Sequence, residues 1–478
     1  MTTILPRELI LCNMKRRALR ITVICIVLAS SLYVASAFAN YESAANVAAE
    51  QSDVPFSERD TVVSPRGNIT VITGQGFAER DRDALTAFAP DGRVLHYHDE
   101  YDKYQDVDPS PKGRYTVNVV ASEFIYPEEC DAEVRRCVRD NILRINLTTG
   151  ETETLHTITS PALYSEKIHD VDRVGPNRFV VADIIHDRVY MLNTSTGTHE
   201  WSYQAMSDFP RSGGGDWPND WTHMNDVEML PDGRVMASPR NQDQVIFIDP
   251  ETGLQENWTL GTEDNYSTLY EQHNPDYIPE SRGGPAVVVA DSHNNRVVEF
   301  QRENGSWEQS WQWTDDQMQW PRDADRLPNR NTLVVDSNGG RVVEVAPNGS
   351  VVWNVTLSSA YDVERLGTGD ESTGGESASK LGLTSSGELD RKTESSDSGG
   401  FINLIGVKRS FLRIAPPKLM SAVVFIVPPW MRVWHIAALG ASLAAVVGLL
   451  AAEVHWRYDI SIDPRAAIDV VKKQSHDD

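Results

Sequence analysis

The sequence predicts an all-β protein, a six-bladed β-propeller with N- and C-terminal membrane segments. Three observations predict it. Turn glycines recur at Gly92, Gly150, Gly197, Gly253, Gly305 and Gly349, each between two strand-like runs. An acidic signature recurs with them, starting at Gln105, His169, Asn225, His273, Arg322 and Tyr361 and reading Gln-Asp-Val-Asp, His-Asp-Val-Asp, Asn-Asp-Val-Glu, His-Asn-Pro-Asp, Arg-Asp-Ala-Asp and Tyr-Asp-Val-Glu. Two long apolar segments, 21–39 and 436–452, flank the repeat.

The first apolar segment follows Lys15, Arg16, Arg17 and Arg20, so residues 1–20 read as a cytoplasmic tail and 21–39 as a signal peptide or membrane anchor. Ala37-Phe38-Ala39 would also serve as a cleavage site, and both readings stay open. Residues 40–67 read as a linker.

Residues 68–366 are the predicted propeller and catalytic domain. Period-2 alternation and glycine turns give four short strands per unit, and units of this kind are propeller blades. In the third unit they fall at 169–174, 178–183, 188–193 and 198–203. The first unit, from Ile69, lacks its innermost strand. The last unit, Tyr361 to Leu366, supplies an innermost strand and nothing else. One completes the other, which closes the ring and leaves no exposed sheet edge.

After Leu366 the composition turns to Gly, Ser, Thr and Glu, so 367–400 is expected to be a disordered linker. Residues 401–432 mix apolar and basic side chains with two Pro-Pro pairs and read as a membrane-proximal segment. Residues 433–453, whose charge-free stretch 436–452 is flanked by Trp434 and Trp456, are the expected transmembrane helix, and 454–478 a second cytoplasmic tail.

The basic cluster before the first segment puts the N-terminus inside and residues 68–400 outside the cell membrane. Eight Asn-X-Ser/Thr sequons, all between the apolar segments, agree with an extracellular glycoprotein. So do Cys130 and Cys137, seven apart in a polar stretch, where a disulfide would close the loop. The net charge of −25 excludes a nucleic-acid partner. With only 10 Lys against 34 Arg, it matches a protein kept soluble in high salt by surface carboxylates.

The first signature residues should line the channel, bringing Gln105, His169, Asn225, His273, Arg322 and Tyr361 together near the axis. His223 stands two positions before Asn225. No carboxylate spacing for zinc accompanies these histidines, so anion chemistry is expected and no metal or other cofactor. Three units share Asp followed by Arg five residues on: Asp183/Arg188, Asp291/Arg296 and Asp336/Arg341. The fourth unit has Pro239 where the Asp would stand, which predicts an Arg240 released from that carboxylate and able to grip a tetrahedral anion. Trp217, Trp221, Tyr270 and Trp320 are candidates to wall an entrance for a flat ring.

At these residues the sequence resembles the arylsulfotransferase family, propeller enzymes that move a sulfuryl group between phenols without a nucleotide donor. The resemblance spans roughly Asn68 to Leu366. It is carried by His169-Asp170, Trp221-Thr-His223-Met-Asn225, Ser238-Pro-Arg240-Asn241, and Glu271-Gln-His273-Asn274 leading to Asp291-Ser-His-Asn-Asn-Arg296. Membrane-tethered archaeal-type members look most similar. The resemblance implies that His273 is the nucleophile that becomes sulfated, and that His169, His223 and Arg240 hold the sulfate oxygens with Asn225 assisting. Arg322 joins them as a substrate-binding candidate. The partners implied are small aryl sulfates and phenols, besides the lipid bilayer. There is no room here for the added N-terminal β-domain of many members, so the phenol-binding residues do not carry over. The residues alone leave two alternatives: a metal-dependent propeller hydrolase with calcium near Asn225, and a non-catalytic surface-binding propeller.

Overall fold

The computed structural model describes residues 7–39, 44–59, 61–65, 67–75, 83–126, 128, 130, 136–161, 167–357, 359–386, 431, 433–463 and 466–472. The chain divides into two compact units, one of residues 1–42 with 423–478 and one of residues 43–422.

The larger unit is the six-bladed propeller. Blade 1 is built from both ends of the repeat: its inner strand, Ala360–Arg365, pairs with Thr70–Gly74, followed outward by Leu85–Phe88 and Val94–His98. The register pairs Thr70 with Arg365 and Ile72 with Val363. Blades 2, 3, 5 and 6 begin with inner strands Lys103–Pro109, Ile168–Gly175, His273–Ile278 and Pro321–Asp323, and each has four strands. Blade 4 begins with Met224–Met229, and its outermost strand is split into Gly253–Leu254 and Leu260–Gly261. The six repeat glycines turn the chain between third and fourth strands with φ of 69–87°, a region open to glycine at no steric penalty.

The core is six separate apolar layers, one at each blade–blade interface. Alternation along the second strands produces them. Val71 faces blade 2, where it packs with Val107 and Val117, while its neighbour Ile72 faces blade 6 and packs with Leu333 and Trp353. Such strands are buried on both faces and read as continuous hydrophobic runs. Trp311 and Trp353 fill interface layers, and Trp201 and Trp258 pack against them.

Two stretches expected as linkers are ordered in part. Within 40–67, a helix spans Ala44–Asp53 and buries Ala48 in the layer between blades 6 and 1. Within 367–400, residues 367–386 are not a disordered linker but pack on the propeller, whereas 387–400 lie outside the described residues. Short helices form at Glu371–Gly374 and Ala378–Leu381. Buried Ser372 accepts from the Arg326 amide at 2.6 Å and donates to the Asp276 carboxylate. The Ala378 amide donates to Glu299 at 2.8 Å, and its methyl group joins the layer between blades 5 and 6. A polar composition signals disorder only when the segment buries nothing, and here specific hydrogen bonds and small apolar side chains do the anchoring.

The smaller unit holds helices Arg7–Ala39 and Val433–Arg457, both long and apolar enough to cross a membrane. They run antiparallel, since Arg20 pairs with Glu453 at 2.5 Å while Tyr33 lies against His435 at 4.7 Å. Past the second helix the expected tail contains a hairpin, Tyr458–Asp463 with Ala466–Lys472. Residues 401–430 lie outside the described residues. Cys130 and Cys137 are joined by a disulfide, their Cα atoms 6.4 Å apart.

Candidate active site

In every blade the ladder between the first and second strands slips by one residue at the start of the signature. A bulge of this kind re-aims a side chain, so successive positions need not alternate strictly between faces. Four blades add a second device. His223, Glu271, Trp320 and Ser359, each two residues before the first signature position, hold left-handed backbone with φ of 49°, 46°, 53° and 61°. Non-glycine residues there carry a steric cost, and such positions cluster at functional sites.

These turns gather a compact group. His273 is 2% exposed. Its Nδ1 lies 2.8 Å from the Ser292 hydroxyl, and that hydroxyl lies 2.7 Å from the Pro321 carbonyl. A carbonyl only accepts, so the one hydroxyl proton goes to Pro321 and Ser292 accepts from Nδ1–H. Nε2 is left with the lone pair. Burial first, then the charges of Arg240, Arg322, His223 and His169, push the ring well below the ordinary imidazole range. His273 is therefore neutral at neutral pH.

His169 lies across the channel, its Nδ1 2.9 Å from the Tyr361 hydroxyl and its ring 5.5 Å from that of His223. The Tyr361 ring is also 6.1 Å from His273 and 4.9 Å from the Arg322 guanidinium. Burial holds its hydroxyl protonated, well above the usual phenol range. Arg322 rests between Tyr361 and Trp320, with Nη1 3.3 Å from the Gln75 side chain.

His223 Nδ1 lies 2.5 Å from the Asp220 carboxylate. Arg240 bonds Asn241 through Nε and Nη2 at 3.0 and 2.9 Å, and sits 3.7 Å from Asp220. The expectation of an arginine without a carboxylate is thus corrected: Asp220, twenty residues upstream, takes the place of the missing strand-end aspartate. Burial alone would raise Asp220, but His223 and then Arg240 hold it well below the usual carboxylate range. The other three pairs are direct, at 2.8, 2.6 and 2.8 Å.

Two of the six expected channel residues turn aside. Gln105 donates to Ser122 at 2.9 Å within its own blade. Asn225 donates to the Gln272 carbonyl at 2.9 Å, joining blades 4 and 5. Of the expected entrance aromatics, Trp221 is instead fully buried between blades 3 and 4, held by the Gly213 carbonyl at 2.7 Å. Trp320 does stand at the site, 6.3 Å from His273 and stacked on His293, whose Nε2 is 2.8 Å from Glu271. Sequence reasoning missed Asp220, and it quoted Ser292, Glu271 and His293 only as motif residues without their partners. Ser292 directly follows the Asp of an Asp/Arg pair, a signal that marks the turn but not the partner.

Beyond the site the channel becomes acidic. One residue further along each signature stand Asp106, Asp170, Asp226, Asn274, Asp323 and Asp362, and two further on Asp108, Asp172, Glu228, Asp276, Asp325 and Glu364. Many accept from the next blade's backbone, as Asp170 does from Val227 at 2.6 Å and Asp323 from Val363 at 2.9 Å. Burial raises these carboxyls, Asp172 to about 6 and Asp170 to about 8.

The chain's fold is similar to that of a Bacteroides caccae protein of unknown function, at 12% identity and a TM-score of 0.43, covering 63% of this chain and 98% of that one. It is similar too to the periplasmic gluconolactonase of Pseudomonas aeruginosa, at 15% identity and a TM-score of 0.40, covering 63% and 99%. Neither likeness bears on the chemistry. No curated protein sequence matches the chain. The arylsulfotransferase (ASST) family matches residues 51–314, which take in His169, His223, Arg240 and His273. Over half of its length, and across the blades that carry His169, His223, Arg240 and His273, the chain belongs to the arylsulfotransferase family.

Proposed function

We propose that the protein is an aryl-sulfate sulfotransferase that carries the sulfuryl group on His273 and needs no nucleotide donor. The observation behind this reading is the relay from His273 Nδ1 through Ser292 to the Pro321 carbonyl, which presents a neutral ring with Nε2 as its nucleophilic atom. In the first step Nε2 attacks sulfur, the S–O(aryl) bond breaks and the electron pair leaves on the phenolate. In the second, the oxygen of an acceptor phenol attacks the same sulfur, the N–S bond breaks and His273 recovers its lone pair. Splitting a transfer in this way is ordinary covalent catalysis. The charge to be stabilised lies on the sulfuryl oxygens, so positioned donors dominate, as in phosphoryl transfer.

Arg240 and Arg322 supply fixed positive charge, and His169 supplies a further donor. His223, held by Asp220 through Nδ1, is the group to give a proton to the leaving phenolate and to take one back from the acceptor. Asn225 assists by fixing the seam between blades 4 and 5. The two long apolar helices tether the propeller to the membrane with the catalytic domain outside, a reading supported by the basic cluster ahead of the apolar stretch of the first helix and by the sequons.

The test is to mix the enzyme with an aryl sulfate and no acceptor, quench at alkaline pH, digest and map the adduct by mass spectrometry. An increment of roughly 80 Da, one sulfuryl group as covalent catalysis requires, is expected on the His273 peptide and not in His273→Ala. Label on His169 would move the nucleophile to blade 3. Release of inorganic sulfate without any histidine adduct would replace the two-step scheme by direct hydrolysis.

A further inference from the structure

The two acidic rings raise a question that sulfuryl chemistry does not answer: what satisfies so many buried carboxyl oxygens. Part of the answer is the belt of backbone amides already described, but each amide occupies only one carboxylate oxygen. Of the buried arginines, Arg326 pairs with Glu299 at 3.0 Å, and Arg365 pairs with Glu344 at 3.1 Å while its charge also reaches Asp325 and Glu364. Among the described residues, no Lys, Arg or His forms an ion pair with Asp226, Asp276, Asp323 or Asp325.

Three of these carboxylates converge. Asp276 of blade 5 and Asp323 and Asp325 of blade 6, at 2%, 2% and 1% exposure, each present an oxygen within 4.8 Å of the other two. A second observation points to a ligand among them. Oδ2 of Asp325 and Oδ2 of Asp226, in residues 1% and 4% exposed, meet no hydrogen-bond donor. Neither does Oδ1 of Asn274, a neutral carbonyl-type oxygen in the wall of the same cavity as Asp226, Asp276 and Asp323. Buried acceptors without donors are expensive to maintain, and a cation satisfies several at once. The cavity, which Asp276 and Asp323 help to line, has a volume of about 10 Å³, room for the centre of one ion or one water.

We propose that Asp276, Asp323 and Asp325 bind one calcium ion in the channel, as a structural clamp between blades 5 and 6. The ligands are all hard oxygens. At Ca–O distances of about 2.3–2.6 Å, oxygens on opposite sides of the ion stand up to roughly 5 Å apart, which is compatible with three oxygens all within 4.8 Å of one another. Magnesium holds its ligands closer, at about 2.0–2.1 Å in a strict octahedron, and fits these strand-fixed carboxylates less well. Because Ser372 bonds Asp276, the same ion would also secure the 367–386 segment to the channel mouth. The site stands on its own geometry and does not depend on the sulfohistidine scheme.

The experiment uses the full-length chain in detergent. After gel filtration without added metal, elemental analysis should find about one calcium per chain, the stoichiometry of a single site of this type. Stripping with EDTA should lower the melting temperature, and calcium chloride should restore it. At roughly a hundred times the dissociation constant the rise should be about 5 °C. Sodium chloride of equal ionic strength should not restore it, and magnesium should do so less. Asp325→Asn should reduce calcium affinity at least tenfold. If that variant fails to fold, the stoichiometry and calcium response of the unmodified chain still decide. No retained calcium and no calcium-dependent melting would overturn the proposal, as would a folded Asp325→Asn that binds calcium unchanged.

Discussion

The Tyr361 hydroxyl lies 2.9 Å from Nδ1 of His169, a residue 192 positions earlier in the chain. Tyr361 belongs to the strand that closes the ring, and His169 to blade 3, with blade 2 between them. The last strand of the propeller therefore completes both the fold and the site.

Replacing Tyr361 by Phe keeps the ring against His273 and Arg322 and removes the bond to His169. The loss of one buried hydrogen bond, about 1–1.5 kcal/mol, should lower kcat roughly tenfold. Steady-state turnover of a chromogenic aryl sulfate measures it. Unchanged kinetics with an intact fold would reduce Tyr361 to packing.

Ser292→Ala removes the acceptor of His273 Nδ1–H and frees the ring to rotate or change tautomer. Formation of the histidine adduct should slow by about tenfold or more, with little change in KM, because the ring rather than the substrate loses its orientation. Single-turnover kinetics separates the two. A rise in KM alone would place Ser292 in substrate binding.

Arg240→Lys keeps the charge and loses the planar fork. Turnover should fall by an amount corresponding to about 1–3 kcal/mol. Asp220→Asn should mimic part of this loss, since Asp220 faces both Arg240 and His223. Full activity in Arg240→Lys would leave this arginine as a partner of Asp220 only.

The acidic limb of the rate should not coincide with an ordinary imidazole. His273 is held well below its usual value of 6.5, so its lone pair stays available as pH falls through that value. Activity limited by His273 is lost only below its depressed pKa. A pH–rate profile of adduct formation breaking near 6.5 would mean that another group controls this step.

Stability should depend on pH in the opposite sense to most carboxylate pairs. Asp170 is raised to about 8 by burial, against about 4 in the unfolded chain. Between these values the folded protein keeps the proton and the unfolded chain releases it, so stability declines as pH rises through this window. Asp170→Asn retains an acceptor for the Val227 amide and should flatten that decline in urea unfolding at pH 5 and pH 8. An unchanged slope would assign the dependence elsewhere in the rings.

Much of the architecture is legible in the residues because it is written in local periodicity. Gly92 through Gly349 mark hairpins that demand left-handed backbone, and the Asp-Val-Asp signature marks inner strands. Counting strands in the first and last units predicts the pairing of Tyr361–Leu366 with the strand near Ile69–Gly74 without any distance, and the structure pairs Ala360–Arg365 with Thr70–Gly74. His169 and His273 are legible in the same way, as first residues of strands that must meet at an axis.

What the sequence by itself determined is therefore the six blades, their closure and the membership of the inner strands. Only the tertiary structure decided which carboxylate faces Arg240, that Gln105 and Asn225 bond sideways rather than into the site, that Ser292 orients His273, and that residues 367–386 pack instead of trailing away. The physical reason is range. Alternation and turn chemistry act between neighbours and are read along the chain. The partner of a side chain in a closed ring depends on where bulges slip the register and where left-handed residues such as His223 re-aim the backbone, and those positions bring together groups like Asp220 and Arg240 that no spacing rule connects.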